Sequence, residues 1–345
     1  MVIKEITNLL LNAKEPEEVF KGNTKDEVKK SYRSLAKICH PDKVNENEKE
    51  LASKLTIILN NLYETAQEKL EKGIYNLKDI KEIYKKSEPL FTFDIKNKHY
   101  DIYSCIKEED VSIIYEGLQN DELITLKIVN DESDNFLIDE EYKLLQELNH
   151  LGLPHVITKI KINGKNSLIL KKESGLSFEE LLKEYKVIPE EHIFWILERM
   201  LSLIGYLHSN KIVHGNIKPE NIIIDVENHN IKIMDYTLCI KNAHKHTSRY
   251  KIINDDYTPD YVSEKSVVIP HVDIYAVAKI AIILMGGDVK RNAMPVNVSK
   301  ELRTFIRNMI NSKENDAWKL WNELIELRNK QYGKTRFQKL ERKLR

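Results

Sequence analysis

The sequence contains few cysteines, glycines and prolines. The three cysteines, Cys39, Cys105 and Cys239, are odd in number and widely spaced, which excludes a disulfide framework and a paired zinc signature. The 11 glycines and 9 prolines come without any period of 20–50 residues, which excludes a repeat architecture. The longest apolar stretch, residues 276–287, is too short to span a bilayer, and no secretory signal pattern is visible at the start. We therefore expect a cytoplasmic protein without a membrane span.

An excess of charge of either sign is also missing. The 54 lysines and arginines balance 54 aspartates and glutamates, which excludes a protein that binds polyanions with its whole surface. Hydrophobic residues make up 41% of the chain and charged residues 31%, as in globular proteins. A length of 345 residues fits two or three domains at roughly 100–200 residues each.

The hydrophobic pattern changes along the chain. It is helical up to about residue 73, polar and lysine-rich as far as residue 99, rich in short β-type runs after residue 100, and mainly helical after Ser177. This order predicts an α+β chain: a helical domain, then a bilobal domain with a β-rich lobe, a helical lobe and a cleft between them. The predicted parts are a helical domain at 1–73, a linker at 74–99, a bilobal domain at 100–326 and a basic segment at 327–345.

A helix in the first domain has a clear start and a basic face. Thr24 and Glu27 have the spacing of a capping box, which predicts a helix that opens at Thr24. Apolar residues then fall at helical spacing on one side, and the opposite side is basic. The basic side consists of Lys25, Lys29, Lys30, Arg33 and Lys37.

The triplet His40-Pro41-Asp42 follows this helix and precedes a second long helical segment. Proline ends a helix and stiffens the turn, so we expect the imidazole and the carboxylate to point outward. This stretch resembles the J-domain of the DnaJ co-chaperones. The resemblance implies a DnaK-type chaperone as partner, whose ATP hydrolysis the triplet stimulates, while Lys29, Lys30 and Arg33 steer toward an acidic surface. Neither a zinc-finger region nor a Gly/Phe-rich segment follows, so the second domain would provide the contact to an unknown client.

The run from His214 to Asp225, followed by Asp235-Tyr236-Thr237, resembles the catalytic loop and magnesium-binding loop of protein kinases. The resemblance extends from about residue 100 to 327. It implies that Lys127 holds nucleotide phosphates, that Glu141 orients that lysine, and that Asn221 and Asp235 bind magnesium. Lys218 is expected to contact the γ-phosphate. The implied cofactors are ATP and magnesium.

Several positions depart from the kinase pattern. Asn216 stands where the family has the aspartate that accepts the substrate proton, and an amide is no base at neutral pH. Residues 106–112, where the family has a glycine-rich loop, contain no glycine and three acids. Gly215 and Thr237 replace residues used in switching, and the arginine that anchors the activation segment is missing near Asn315.

We therefore interpret the chain as a J-domain co-chaperone with a pseudokinase that binds nucleotide weakly or binds a client. One alternative is an active Ser/Thr kinase or small-molecule phosphotransferase with an atypical catalytic loop. Another is an adaptor that binds nucleic acid or another polyanion through residues 327–345, which carry eight basic residues and one acid.

Overall fold

The computed structural model describes residues 3–22, 24–71, 75, 80–185, 187–226, 228–243, 256–262, 266–333 and 340. These residues form two compact units, one that ends at Pro89 and one that spans Leu90–Leu340. The first is helical and the second combines a sheet with helices, so the α+β class predicted from the sequence is confirmed.

The first unit is built around a pair of long helices. Its helices are α1 (Ile3–Asn12), α2 (Lys25–Cys39), α3 (Lys49–Glu71) and α4 (Ile80–Lys85). The predicted capping box is present at the start of α2, since the Thr24 hydroxyl accepts the amide of Glu27 and Glu27 accepts the amide of Thr24. One apolar cluster holds the helices together, and its fully buried members include Ile6, Leu10, Val28, Leu55 and Leu59.

The second unit begins with a six-stranded antiparallel sheet in the order β1-β2-β3-β4-β6-β5. Helix α5 packs against β5 and β6. The elements are β1 (Phe91–Ile95), β2 (Lys98–Glu108), β3 (Ser112–Gln119), β4 (Glu122–Val129), α5 (Asn135–Glu147), β5 (Val156–Ile162) and β6 (Lys165–Lys171). The short β-type runs that the sequence predicted after residue 100 are thus confirmed.

The rest of this unit is mainly helical, and its largest apolar cluster surrounds α7 and α8. Short strands between the helices carry the loops that line the cleft. The elements are β7 (Leu176–Ser177), α6 (Phe178–Tyr185), α7 (Glu190–Ser209), β8 (Ile212–Val213), β9 (Ile222–Asp225), β10 (Asn230–Ile233), β11 (Ile240–Lys241), α8 (His271–Leu284), α9 (Lys300–Asn311) and α10 (Ala317–Tyr332).

Two boundaries differ from those predicted. Strand β1 lies inside the predicted linker at 74–99, because Phe91, Phe93 and Ile95 alternate with exposed residues and pair with β2. Helix α10 continues through residue 326, so the predicted basic segment starts inside a helix. Among the described residues, no helix is long and apolar enough to cross a membrane.

Candidate functional site

The loop between α2 and α3 presents two polar side chains to solvent. His40 follows the last residue of α2, and Pro41–Lys43 forms a single tight turn. The side chains of His40 and Asp42 are 54% and 84% exposed. The His40 Nδ1 accepts the amide of Asp42 at 3.2 Å, and the Thr56 hydroxyl of α3 donates to the Cys39 carbonyl at 3.0 Å. The loop is therefore fixed at its base while its side chains face outward.

The exposed face of α2 leads up to this loop. Lys29, Lys30, Arg33 and Lys37 line a shallow cavity of about 340 Å³, and Asp26 is the one carboxylate in its lining. All four cations are exposed. The surface is therefore positive and accessible, which suits an acidic partner surface.

In the second unit, a cavity of about 480 Å³ lies between the sheet and the loops of the helical region. Its apolar walls include Ile106, Ile114, Leu170, Ile223 and Met234. Its polar end brings together Lys127, Glu141, Asn221 and Asp235, residues that are up to 108 positions apart in the chain. The structure thus places four of the sequence-predicted site residues around one cavity.

Lys127 of β4 is the centre of this polar end. Its ammonium lies 2.8 Å from Glu141 Oε2 and 2.7 Å from Asp235 Oδ1. Burial alone would lower the pKa of Lys127, but the two carboxylates outweigh it and the pKa is raised. The same lysine lowers the pKa of Asp235 against the opposing effect of burial. At neutral pH Lys127 and Asp235 are therefore charged and paired.

Thr237 closes this network on its far side. Its hydroxyl lies 2.9 Å from both Glu141 Oε2 and Asp235 Oδ1, and it accepts a hydrogen bond from Lys127. Glu141 also accepts the backbone amide of Tyr236 at 2.9 Å. A glycine at position 237, as in the kinase pattern, has no side chain to make these contacts. Thr237 thus fixes the loop that carries Asp235.

A buried aspartate of α8 frames the catalytic-loop region. Asp273 accepts the backbone amides of His214 and Gly215, both at 2.8 Å, and lies 3.0 Å from His208 Nε2. Burial would raise the pKa of Asp273, but the hydrogen bond from His208 helps to lower it. Gly215 has a φ of 73°, which a glycine adopts at little cost. This backbone conformation favours glycine over the arginine that the kinase pattern has at position 215.

Asn216 is buried and faces Asp235. Its side-chain amide donates to Asp235 Oδ2 at 3.0 Å, and its backbone carbonyl accepts from Asn221 at 3.1 Å. Nearby, Lys218 pairs with Glu220 at 3.2 Å. In this position Asn216 acts as a hydrogen-bond donor toward Asp235, and it has no basic lone pair for a proton.

The hairpin between β2 and β3 replaces the glycine-rich loop with a charged one. Lys107 donates to the Asn221 Oδ1 at 3.2 Å and pairs with Glu109. The sequence predicted no role for Lys107. No local pattern could have found it, because its partner lies 114 residues away in the chain. The oxygens expected to bind magnesium, those of Asn221 and Asp235, are of the right type but already accept hydrogen bonds from the chain itself.

The described part of the activation segment is held by a histidine. Tyr261 lies 2.5 Å from His271 Nδ1, whose other ring nitrogen lies 2.9 Å from the Met309 carbonyl. The Asn315 side chain accepts the amide of His271 at 3.0 Å. These hydrogen bonds lie near Asn315, where the kinase pattern has the arginine that anchors the activation segment.

Comparison with known proteins matches both units to families. The DnaJ domain family matches residues 18–76, and the protein kinase domain family matches residues 108–343. The latter range covers more than half of the chain and most of the predicted basic segment.

Three curated relatives are similar to part of this chain. A probable serine/threonine-protein kinase of Dictyostelium discoideum is 25% identical over 185 residues, or 51% of this chain and 36% of the relative. The serine/threonine-protein kinase RUNKEL of Arabidopsis thaliana is 29% identical over 41% of this chain and 10% of its own length. Sucrose non-fermenting protein kinase 1 of Fusarium virguliforme is 29% identical over 44% of this chain and 21% of its own length. The chain therefore spans 36% or less of the length of these relatives.

Proposed function

Because the chain belongs to the protein kinase domain family and carries a DnaJ domain ahead of that domain, we propose that it is a co-chaperone of a DnaK-type ATPase whose kinase domain is a pseudokinase. In this function the DnaJ domain stimulates ATP hydrolysis by the partner. The kinase domain binds a nucleotide weakly or binds a client protein. The proposed setting is the cytoplasm.

The loop at His40 is the observation that carries the proposed stimulation of a DnaK-type ATPase. Its imidazole and the Asp42 carboxylate are exposed, while Thr56 fixes the loop at Cys39. The positive surface of α2 adjoins the same loop. An acidic partner would be attracted by the lysines and then contact a loop that needs no rearrangement, which keeps the entropic cost of binding low.

The contact between Asn216 and Asp235 supports the proposal that the kinase domain is a pseudokinase. A catalytic base must accept a proton from the substrate, but the Asn216 amide points its hydrogens at Asp235. Loss of general-base help lowers a rate by ~10²–10⁴. Lys218, the residue expected at the γ-phosphate, is paired with Glu220. Both features oppose efficient phosphoryl transfer.

Weak nucleotide binding follows from the charges around the cavity. The four lysines that line it are each paired with a carboxylate of the chain. The pairs are Lys107 with Glu109, Lys127 with Glu141 and Asp235, Lys172 with Glu116, and Lys183 with Glu179. A phosphate must compete with these carboxylates for the same ammonium groups, so part of the binding free energy is lost.

The chaperone half is tested by ATPase stimulation. The full chain should stimulate steady-state ATP hydrolysis by a DnaK-type chaperone, and His40→Gln should abolish the effect. His155→Gln is the matched control, because His155 is an exposed histidine of the other unit. Circular dichroism should show that both variants remain folded. Equal stimulation by His40→Gln and His155→Gln would contradict the proposal.

The pseudokinase half is tested by phosphoryl transfer from labelled ATP to the chain itself and to a general substrate protein. We expect no transfer above that of Lys127→Ala. Robust transfer by the unaltered chain that disappears in Lys127→Ala would establish the rival function, an active kinase or small-molecule phosphotransferase.

A further inference from the structure

Lys107 extends from the end of β2 across the cavity to the loop that precedes β9. Its ammonium lies 3.2 Å from the Asn221 Oδ1, and its side chain is 27% exposed. The Asn221 amide is fixed in this orientation, because its nitrogen donates to the Asn216 carbonyl at 3.1 Å. Asn221 therefore turns its oxygen toward a cation, and that cation is supplied by the chain.

Asp235, the other expected magnesium ligand, is engaged in the same way. Its Oδ1 receives Lys127 at 2.7 Å, and its Oδ2 receives the Asn216 amide at 3.0 Å. The three side-chain oxygens of Asn221 and Asp235 thus face two ammonium groups, one amide and the Thr237 hydroxyl. A divalent cation would have to displace these donors and would then lie close to two positive charges.

We propose that Lys107 and Lys127 take the place of the divalent cation, so that this site binds a nucleoside triphosphate without metal. An ammonium has three donors, so Lys107 can hold the Asn221 oxygen and a phosphate oxygen together. The three donors of Lys127 face Glu141, Asp235 and Thr237, so Lys127 binds a phosphate oxygen by giving up one of these partners. The nucleotide competes with Glu109 for Lys107, which keeps the affinity low.

This inference rests on the proposed nucleotide binding. Binding without metal differs from the kinase pattern, in which magnesium accompanies the nucleotide. The residue that decides it, Lys107, belongs to residues 106–112, which contain no glycine. The glycines that would let backbone amides approach a phosphate are missing here. A side-chain cation of the same hairpin provides the positive charge instead.

Binding of ATP to the full chain, measured by isothermal titration calorimetry and by thermal shift, tests the inference. We expect binding in EDTA to be as tight as, or tighter than, binding in magnesium. Lys107→Gln should weaken binding in EDTA by about tenfold or more, since a charge-assisted hydrogen bond is lost. Lys107→Arg should retain most of the affinity.

Lys98→Gln is the matched control, because Lys98 is an exposed lysine of the same strand. It should bind ATP like the unaltered chain. A strict requirement for magnesium, or equal affinities of Lys107→Gln and Lys98→Gln, would overturn the inference while leaving nucleotide binding in place. A chain that binds no nucleotide in either buffer would refute both this inference and the proposed nucleotide binding.

Discussion

The side-chain amide of Asn216 donates to Asp235 Oδ2 over 3.0 Å in the interior of the kinase domain. A carboxylate at position 216 would put a second negative charge next to that of Asp235. The amide instead removes that repulsion without any bound cation. The substitution that takes away a catalytic base thus also lowers the need for a metal.

Asn216→Asp should therefore create a metal dependence that the unaltered chain lacks. Two like charges about 4 Å apart repel by about 1 to 4 kcal/mol, depending on the effective dielectric constant. We expect a lower melting temperature in EDTA and recovery in magnesium. Asn308→Asp, at an exposed residue of α9, is the control and should show no such difference. A magnesium-insensitive Asn216→Asp variant would contradict this account.

Thr237→Val should destabilise the kinase domain, since valine keeps the volume and removes the hydroxyl that contacts Lys127, Glu141 and Asp235. A hydrogen bond to a charged group contributes about 1.5–3 kcal/mol, and this contribution is lost with the hydroxyl. The melting temperature should fall by roughly 2–4 °C per kcal/mol for a domain of this size.

Thr237→Ser keeps the hydroxyl, so its free energy of unfolding should stay within about 1 kcal/mol of that of the unaltered chain. Thr92→Val, at an exposed residue of β1, measures the effect of the same change at the surface. If Thr237→Val and Thr92→Val melt alike, the hydroxyl does not stabilise the loop of Asp235.

The fold was predictable where the signals were local. The capping box at Thr24, the proline turn after His40 and the alternation in β4 each depend on a few neighbouring residues, and each is present. Strand β1 was missed although Phe91, Phe93 and Ile95 alternate with polar residues, because the surrounding lysines gave the segment the composition of a linker.

The candidate site was predictable only as far as the kinase resemblance reached. That resemblance named Lys127, Glu141, Asn221 and Asp235, and the structure brings them to one cavity. Lys107 was not predicted, because a hydrogen bond over 114 residues depends on how the hairpin of β2 and β3 lies over the cavity. Asn216 was recognised as a missing base, but its role as a donor to Asp235 required the three-dimensional arrangement.

The basic face of α2 should act through long-range attraction. The double variant Lys29→Glu with Arg33→Glu should raise the concentration of chain needed for half-maximal ATPase stimulation by about tenfold at 50 mM salt. The difference should shrink at 300 mM salt, because exposed charges are screened beyond about 10 Å already at 0.1 M. Lys14→Glu with Lys21→Glu makes the same charge change at exposed residues outside α2. An equal loss in this control pair would assign the effect to net charge.

Acid should destabilise the kinase domain through His214. Burial lowers the pKa of His214 against the nearby charges of Asp273 and Asp235, so the ring is neutral in the fold. In the unfolded chain it takes up a proton below its ordinary pKa of about 6.5. The unfolded state then binds more protons, and stability falls as the pH drops from 7.5 through 6.5.

The urea midpoint of unfolding at pH 7.5, 6.5 and 5.5 measures this effect. His214→Asn should be less stable at every pH, since the hydrogen bond to the Met234 carbonyl is lost, but its midpoint should change less with pH. His155→Gln, at an exposed imidazole, should keep the slope of the unaltered chain. Parallel slopes for His214→Asn and the unaltered chain would exclude His214 as the cause.

The basic segment at 327–345 decides whether the chain also binds polyanions. Truncation after residue 326 would cut α10 and remove Arg328, whose charge is paired with Glu198, and Leu340, which is buried in the main apolar cluster. A test of charge must therefore spare these two residues. Substituting glutamine at six positions does so, namely Lys334, Arg336, Lys339, Arg342, Lys343 and Arg345.

If this segment binds polyanions, the sixfold variant should lose affinity for a single-stranded RNA or for heparin, and the slope of log affinity against log salt should fall in magnitude by several units. Lys290→Gln with Arg291→Gln, in the loop between α8 and α9, controls for scattered surface charge and should change little. The positive charge is local, since the chain as a whole is neutral. Unchanged affinity and an unchanged salt slope would remove the adaptor function.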